Sequence, residues 1–576
     1  MNQTTIAALL LAAACTAGAV AQVRIKIDHG DDEAHEHDER PDDPYMPPGP
    51  LRTSVPAIFG DRQGFPLSVQ VNVTTAQLNI LNDAANEPSI AVDPTAPNRI
   101  TIGWRQFDNI ASNFRQAGYA WSNDGGLTWN KSTIDPGVFR SDPVLRASAD
   151  GTIYYNSLTE DFSCWVLRST NGGAAWSSPV FSFGGDKQWM AVDRTTGPGR
   201  GFIHQWWSTA ANPTPGLQYT RSTNGGLAWQ SPSAVLGTPI WGTMAVGPAG
   251  ELYLAKGSGG VRAIKSTDAN QTAAAPTFTQ LPLIGFNGAG TGRACNPGGL
   301  AGQAYVGVDT SGGPRNGWVY LLATVPAAGA TDVVFARSQD AGATWSTPVV
   351  FRGGAVTDTN SFQWFGTMSV APSGRIDVVY NDTSSTLNAV NSQLVYTASS
   401  DGGVTWTTPA AMGPVFNSTI GYPNQNKMGD YYDMESDLLG AHVAYAATYN
   451  GEQDVYYLRI GPKDCNGNGV ADDAETLSAA VLDTNANAIP DSCEIAAGAV
   501  PDANGNGFPD NACGDIDFNN DGLFPDTADI DDFLVVFSGG ACSAPQCDGV
   551  DFNHDGLFPD TADIDFLLRV FSGGPC

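Results

Sequence analysis

The residues best equipped for chemistry in this 576-residue chain fall into two sets. The first is a group of carboxylates and aromatics, each at the start of a short run of small and apolar residues. It comprises Glu87, Asp142, Asp186 with Lys187, Trp241, Trp364, and the segment Asp430-Tyr431-Tyr432-Asp433-Met434-Glu435. Such a mixture suits a sugar, because rings stack on apolar sugar faces and paired carboxylates do acid–base work on a glycosidic bond. Asp186, Tyr432 and Glu435 are the candidates for catalysis, the last two as nucleophile and base by closeness in sequence. Glu87, Asp142, Trp241, Trp364, Asp430 and Tyr431 are the candidates for binding substrate. The second set is a row of oxygen ligands in the tail. Asp464, Asn466, Asn468 and Asp472 follow the pattern D-x-N-x-N-[GA]-x-x-D, which recurs at Asp483 and Asp502. Two near-identical longer units supply Asp517, Asn519, Asp521, Asp529 and then Asp551, Asn553, Asp555, Asp563. Oxygens at alternate positions, with glycine allowing a sharp turn, are what a hard cation such as Ca²⁺ requires, so Ca²⁺ is the expected cofactor.

The elements that must position the first set are repeats. Glu87-Pro-Ser-Ile-Ala-Val-Asp is echoed at Asp142, Asp186, Trp241, Gln303, Trp364 and Asp430, giving seven small-residue strands, each followed by a turn and a second apolar strand. A second repeat runs alongside. Ser122-Asn-Asp124-Gly-Gly126-Leu-Thr128-Trp129 recurs at Ser169, Ser222, Ser338 and Ser399, with a worn copy at Ser266. Glycine where φ is positive and Asp or Asn bonding its own backbone describe a hairpin turn, so this repeat is structural. Residues 65–460 are rich in Val, Ile, Tyr, Trp and Thr and punctuated by Gly, Pro and Asn, which predicts an all-β fold. The last unit lacks a fourth strand, and Leu67–Thr74, ahead of the first unit, is free to supply it and close a ring.

The S-x-D-x-G-x-T-W repeat resembles the Asp-box of the sialidase-like β-propellers. That resemblance implies a β-propeller whose ligands sit where the inner strands enter the central channel; the seven strand repeats count seven blades, with six, the number in sialidases proper, as the alternative. The catalytic F/Y-R-I-P motif of sialidases is missing: Arg99-Ile100 and Arg375-Ile376 lack the proline, and the spacing of Arg105, Arg140 and Arg293 gathers no clamp. Three readings therefore stand: a glycan-active enzyme such as a glycoside hydrolase, with glycan or polysaccharide as substrate; a non-catalytic propeller that binds glycan or protein; and a structural or scaffold protein whose main feature is the calcium tail. The short tail repeats are similar to thrombospondin type 3 calcium repeats. The longer pair resembles a dockerin module, with a helix trailing each loop (Ile530, Phe533, Leu534, Phe537 and Ile564, Leu567, Leu568, Phe571) and a protein partner implied. The final Asp falls one residue later than in dockerins, which leaves Asp526 and Asp529 competing for the last ligand position.

Charge and cysteine divide the chain the same way. Of the net charge of −31, nearly all lies in Asp28–Asp43 and beyond Asp464, so the middle is almost neutral and offers no basic footprint for nucleic acid. Residues 1–21, apolar and ending Ala19-Val20-Ala21, read as a signal peptide, which predicts a secreted or cell-surface protein. No other stretch is apolar enough to span a membrane. Six of the nine cysteines lie in the tail, where disulfides are expected. The expected domains are 22–60, a disordered leader; 61–460, the propeller; 461–513, the short repeats; and 514–576, the dockerin-like pair.

Overall fold

The computed structural model describes residues 43–576 apart from 61–63, 352–360, 501–517, 520–526, 544–549, 551–560, 572–576 and some single positions or short gaps. The signal peptide, most of the leader, and Asp517, Asp521, Asp551, Asn553 and Asp555 lie outside the described residues.

Seven antiparallel sheets form a β-propeller. The inner strands are Ala84–Val92, Ser141–Ala147, Trp189–Val192, Met244–Val246, Tyr305–Val308, Gln363–Val370 and Asp433–Ser436, one for each repeat seen in the sequence. Blade one continues through Ile100–Phe107, Gln116–Ser122 and Asn130–Ile134, and the other blades follow its order. Blade three has three strands and a single bridge, Tyr219 to Ser233, in place of the fourth. In blade seven the outer strand comes from the start of the chain: Ser68–Gln70 pairs antiparallel with Asp454–Ile460, Val69 opposite Tyr457. This ring closure is the one the sequence predicts.

The leader departs from expectation. Residues 43–60 are ordered on the propeller rather than disordered, with Ile58–Phe59 adding a fifth strand to blade seven. Asp43 and Asn113 exchange hydrogen bonds (3.1 and 3.0 Å), and Tyr45 packs edge-on against Phe114. Phe59 packs edge-on against Tyr449 (4.6 Å), and Ala57 packs against the core of blades six and seven.

The eight-residue turns hold their shape through their own side chains. Ser122 Oγ donates to Asp124 Oδ1 (2.6 Å) and accepts from Gly126 N (2.9 Å); Asp124 accepts from Leu127 N, Thr128 N and Thr128 Oγ1. Asp340 and Asp401 repeat this arrangement. In the worn copy Asp268 keeps the same bonds but takes them from Thr277, nine residues on. The tryptophans wedge between blades: Trp129 lies 5.6 Å from Tyr457 of blade seven, and Trp406 lies 4.9 Å from Phe335 of blade five, ring centre to ring centre.

Among the described residues four helices follow the propeller: α1 (Asp472–Leu477), α2 (Asp491–Ala497), α3 (Thr527–Phe537) and α4 (Thr561–Phe571). The last two are the helices predicted after the long loops, and Phe518, Phe533 and Leu567 bury together, so the duplicated units share one small core. No helix among the described residues is long and apolar enough to cross a membrane.

Candidate functional site

Each inner strand begins with a distortion. Glu87, Asp142, Lys187, Trp241 and Phe365 all have φ between 50° and 55°, a left-handed conformation unusual for residues with a side chain. In the other two blades a glycine, Gly302 or Gly429, takes positive φ at the same place. In blades one, two and six the strand register slips here, as at a β-bulge, which re-aims a side chain and ends regular pairing. The positive φ marks the equivalent positions: Lys187, not Asp186, and Phe365, not Trp364, correspond to Glu87.

Three of these blade entrances, with the segment before blade seven, form a buried charge cluster. Lys187 Nζ lies 2.8 Å from Asp142 Oδ2, 2.9 Å from Asp430 Oδ2 and 3.3 Å from Asp186 Oδ1. Lys427 Nζ is 2.8 Å from Asp430 and 3.6 Å from Glu87; Arg105 Nε is 3.3 Å from Glu87 on the other side. Glu87, Asp142, Lys187 and Asp430 are wholly inaccessible to solvent. Burial holds the Glu87 carboxyl well above the carboxylate range; Arg105 opposes that shift, while Asp142 and Asp430 add to it. With Glu87 neutral, Asp142, Asp186 and Asp430 balance Arg105, Lys187 and Lys427. A cluster of this kind is stable only when charges pair this completely.

The cluster is also capped. The hairpin formed by Thr291–Arg293 and Asn296–Leu300 lies over it. Leu300 N donates to Asp430 Oδ1 (2.8 Å), Asn296 Nδ2 to Gly429 O (2.8 Å), Met428 N to Asn296 Oδ1 (2.8 Å) and Gly298 N to Asn426 O (2.7 Å). Below the cluster, Tyr431 crosses the axis, its hydroxyl donating to Pro143 O (2.9 Å) and its ring 5.4 Å from Trp189, which in turn meets Tyr305 at 5.9 Å. The entry end, where the sequence places substrate, is therefore filled by protein.

The structure thus brings Glu87, Asp142, Asp186 and Asp430 together as partners of buried cations. Lys187 Nζ fills the gap between Asp142 and Asp430 where a glycosidic oxygen would sit. Trp241 is buried at the entrance of blade four, its backbone N–H donating to Ser208 Oγ (3.1 Å). Trp364 belongs to the core between blades six and seven, bonded to Ser392 and packed on Phe365. Tyr432 and Glu435 are separated. The Tyr432 hydroxyl donates to Ala446 O and accepts from Asn381 (3.1 Å), and burial raises its pKa. Glu435 pairs with Arg194 (2.6 Å) and accepts from Val92 N. Burial would raise its pKa, but Arg194 and the Val92 N–H outweigh burial and lower it. Strand alternation and opposite ends of the inner strand part these residues despite three-residue spacing.

Glu435 belongs to the exit end of the channel, which sequence reasoning passed over. Arg146 pairs there with Asp433 (2.6 Å) and lies over Trp189 at 5.2 Å, and Ala245, Val246, Gly307, Ser369 and Val370 on other inner strands are half-buried. Of the arginines weighed for a clamp, Arg105 is held by Glu87 and Asn86, and Arg140 by Asp135 and Ser157.

In the tail, Asp464 accepts from Asn468 N and Gly469 N, and Asp472 Oδ1 accepts from Cys465 N (2.8 Å). A residue the sequence reading missed joins them: Glu475 accepts from Asn466 Nδ2 (3.0 Å) and Asn468 Nδ2 (2.6 Å). Its signal was present in the spacing, twelve residues inclusive from Asp464. A disulfide joins Cys465 to Cys493, so the thiols near Asp472 are spent and offer no soft ligands. In the long units Asp529 Oδ1 accepts from Asn519 N (3.3 Å) and Asn519 Nδ2 donates to Asp532, while Asp529 and Asp563 are both buried. Cys164 and Cys295 of the propeller are buried and unpaired.

No family model matches the chain, and no curated protein matches it. Solved structures do. A protein of unknown function from Dyadobacter fermentans is 14% identical over 69% of this chain and 98% of its own, with a TM-score of 0.38. YCF48 bound to D1 peptide is 12% identical over 73% and 98%, TM-score 0.36. The Hadza microbial sialidase Hz136 is 15% identical over 66% of each chain, TM-score 0.31. The fold and the blade count rest on the strand pairing.

Proposed function

We propose that the chain is an exported Asp-box propeller that binds a glycan without turning it over, and that its calcium-loaded, dockerin-like tail joins it to a protein partner. The observation that carries the non-catalytic reading is the entry cluster: its carboxylates face Lys187, Lys427 and Arg105, and backbone caps them. An acid–base pair needs room for the bond it cleaves and, in inverting enzymes, for a water. The glycan rests on the Asp-box resemblance, and the half-buried exit mouth is where it would be met. Export is supported by the Cys465–Cys493 bridge, since such bridges persist in oxidising compartments. For calcium, the donor set is oxygen, and Asp472 Oδ2 is buried without a hydrogen-bond partner, a residue left short of charge compensation that a hard cation supplies. When bound, the ion contributes folding free energy to loops too small to hold a core.

The test is a screen of the full chain for glycan binding and hydrolysis. Binding without turnover, weakened by Arg146→Ala and indifferent to Asp186→Asn, supports this reading. Turnover abolished by Asp142→Asn, Asp186→Asn or Asp430→Asn in a folded variant overturns it and restores the glycosidase.

A further inference from the structure

The first tail loop sits in an unusual place. In five blades the third strand runs into an eight-residue turn that leans on the preceding blade, and in blade four into the longer worn copy at Ser266. In blade seven the third strand, Asp454–Ile460, runs instead into the loop that opens at Asp464. That loop touches both sides of the seam where the ring closes. On the blade-seven side, Arg459 Nε donates to Pro462 O (3.1 Å), and a Cβ at Gly469 would meet Leu438 at 3.2 Å. On the blade-one side, a Cβ at Gly467 would meet Pro97 at 3.6 Å, and one at Gly125 would meet Lys463 Nζ at 3.8 Å. Arg99 of blade one reaches α2, donating to Ala496 O (2.6 Å). The bridge Cys465–Cys493 ties α2 back to the loop.

The loop itself has the spacing of a twelve-residue cation loop. Asp464, Asn466, Asn468, Asp472 and Glu475 fall at positions one, three, five, nine and twelve, with the Val470 carbonyl at seven. Gly469 at position six has φ +85°, as the sharp turn there demands. Asp472 is 2% exposed, and its Oδ2 has no hydrogen-bond partner. Glu475 is linked to the first half of the loop, its carboxylate accepting from Asn466 Nδ2 (3.0 Å) and Asn468 Nδ2 (2.6 Å). The second loop repeats the spacing, with Asp491 and Glu494 on α2 at positions nine and twelve.

We propose that Asp464–Glu475 is a Ca²⁺-operated latch on the propeller's closing seam, with Glu475 as the ligand that closes the loop. The latch rests on the reading that the tail takes calcium. An ion held by both ends of the loop fixes α1 to the residues that follow blade seven. The same residues grip blade one, so filling the loop opposes separation of the two blades. By linkage, a ligand that binds only the closed ring raises its stability with concentration.

The chain provides a clean readout. All 14 tryptophans lie before Gly461, so tryptophan fluorescence follows the propeller and is blind to the tail. The experiment compares full-length protein in CaCl₂ and in EDTA. Calcium binding is measured by calorimetry, and thermal unfolding by tryptophan emission. Calcium is expected to raise the propeller midpoint by a few degrees, on the order of 3 °C. Glu475→Gln should remove one site or weaken it about tenfold or more and abolish that rise, and Glu475→Asp should recover part of it. Arg99→Ala should keep the calcium stoichiometry and shrink the rise. If calcium binds, Glu475→Gln weakens it, and the tryptophan midpoint does not move, the latch is overturned while the calcium tail stands. If the chain binds no calcium, the tail reading fails and the latch with it.

Discussion

At the scale of single residues, the centre of the molecule is a matter of charge balance in a place without water. Lys187 holds three carboxylates at once, and no neighbouring cation can take over all its contacts. Lys187→Met should therefore leave Asp142 and Asp430 buried and under-compensated, at a cost of roughly 3–5 kcal/mol, read by denaturant unfolding. Glu87→Gln should cost about 1 kcal/mol or less, because the native carboxyl is already held neutral by burial and the amide keeps its shape. A large loss in Glu87→Gln, or none in Lys187→Met, would contradict this charge assignment. The carboxylates were legible in the sequence as a group, because the repeat aligns them. Their partners were not. Lys427 lies outside the repeat, Arg105 lies on the second strand, and the hairpin at 291–300 reaches the cluster from another blade. Such non-local contacts leave no periodic trace.

At the scale of elements, the turns and strands were the most readable part of the chain, since each eight-residue turn is built from bonds within itself. Asp401 shows how much one side chain carries. It accepts from Val404 N, Thr405 N, Thr405 Oγ1 and Ser399 Oγ, so Asp401→Ala should cost about 1–2 kcal/mol and Asp401→Asn less, measured in the same unfolding assay. Burial alone would raise the Asp401 pKa, but the bonds from Thr405 and Ser399 prevail and lower it. The stability it gives is thus present above the unfolded carboxylate value, about 3.9, and lost as pH falls below that. Tryptophan is equally telling: Trp129→Ala, which empties the wedge against Tyr457, should cost about 3–5 kcal/mol. The ordered leader was missed because its few apolar residues are spaced along an extended strap, with no amphipathic period to notice.

At the scale of the whole molecule, the seam between blades one and seven governs stability. It contains two further buried carboxyls, joined through Asn72, which donates to Asp454 Oδ1 (2.7 Å). Burial pushes Asp83 up to about 7; burial, and then Asp83, hold Asp454 well above the carboxylate range. The sign is opposite to that of the turns. The folded ring binds these protons more tightly than the unfolded chain does, so the stability they give is full near pH 4 and declines as pH rises towards 7 and beyond. In EDTA, the tryptophan-monitored stability should fall between pH 5 and pH 8, and Asp83→Asn should flatten much of that slope. A slope unchanged in Asp83→Asn would place the titration elsewhere.

The ring closure also sets an order of events during synthesis. Ser68 bonds to Tyr445 and Asn72 to Asp454, partners separated by 377 and 382 positions. The strand that completes blade seven is among the first segments of the described chain to be made and one of the last to find its partner. Until Ile460 has been made, Ser68–Gln70 has no sheet to join, and the six earlier blades stand as an open arc that leaves the apolar packing faces of blades one and six bare. Large exposed apolar faces associate with those of neighbouring chains. A chain truncated anywhere between blades one and seven should thus be an aggregating species, whereas a circular permutant that makes Ser68–Gln70 directly after Ile460 should fold faster than the natural order of the chain.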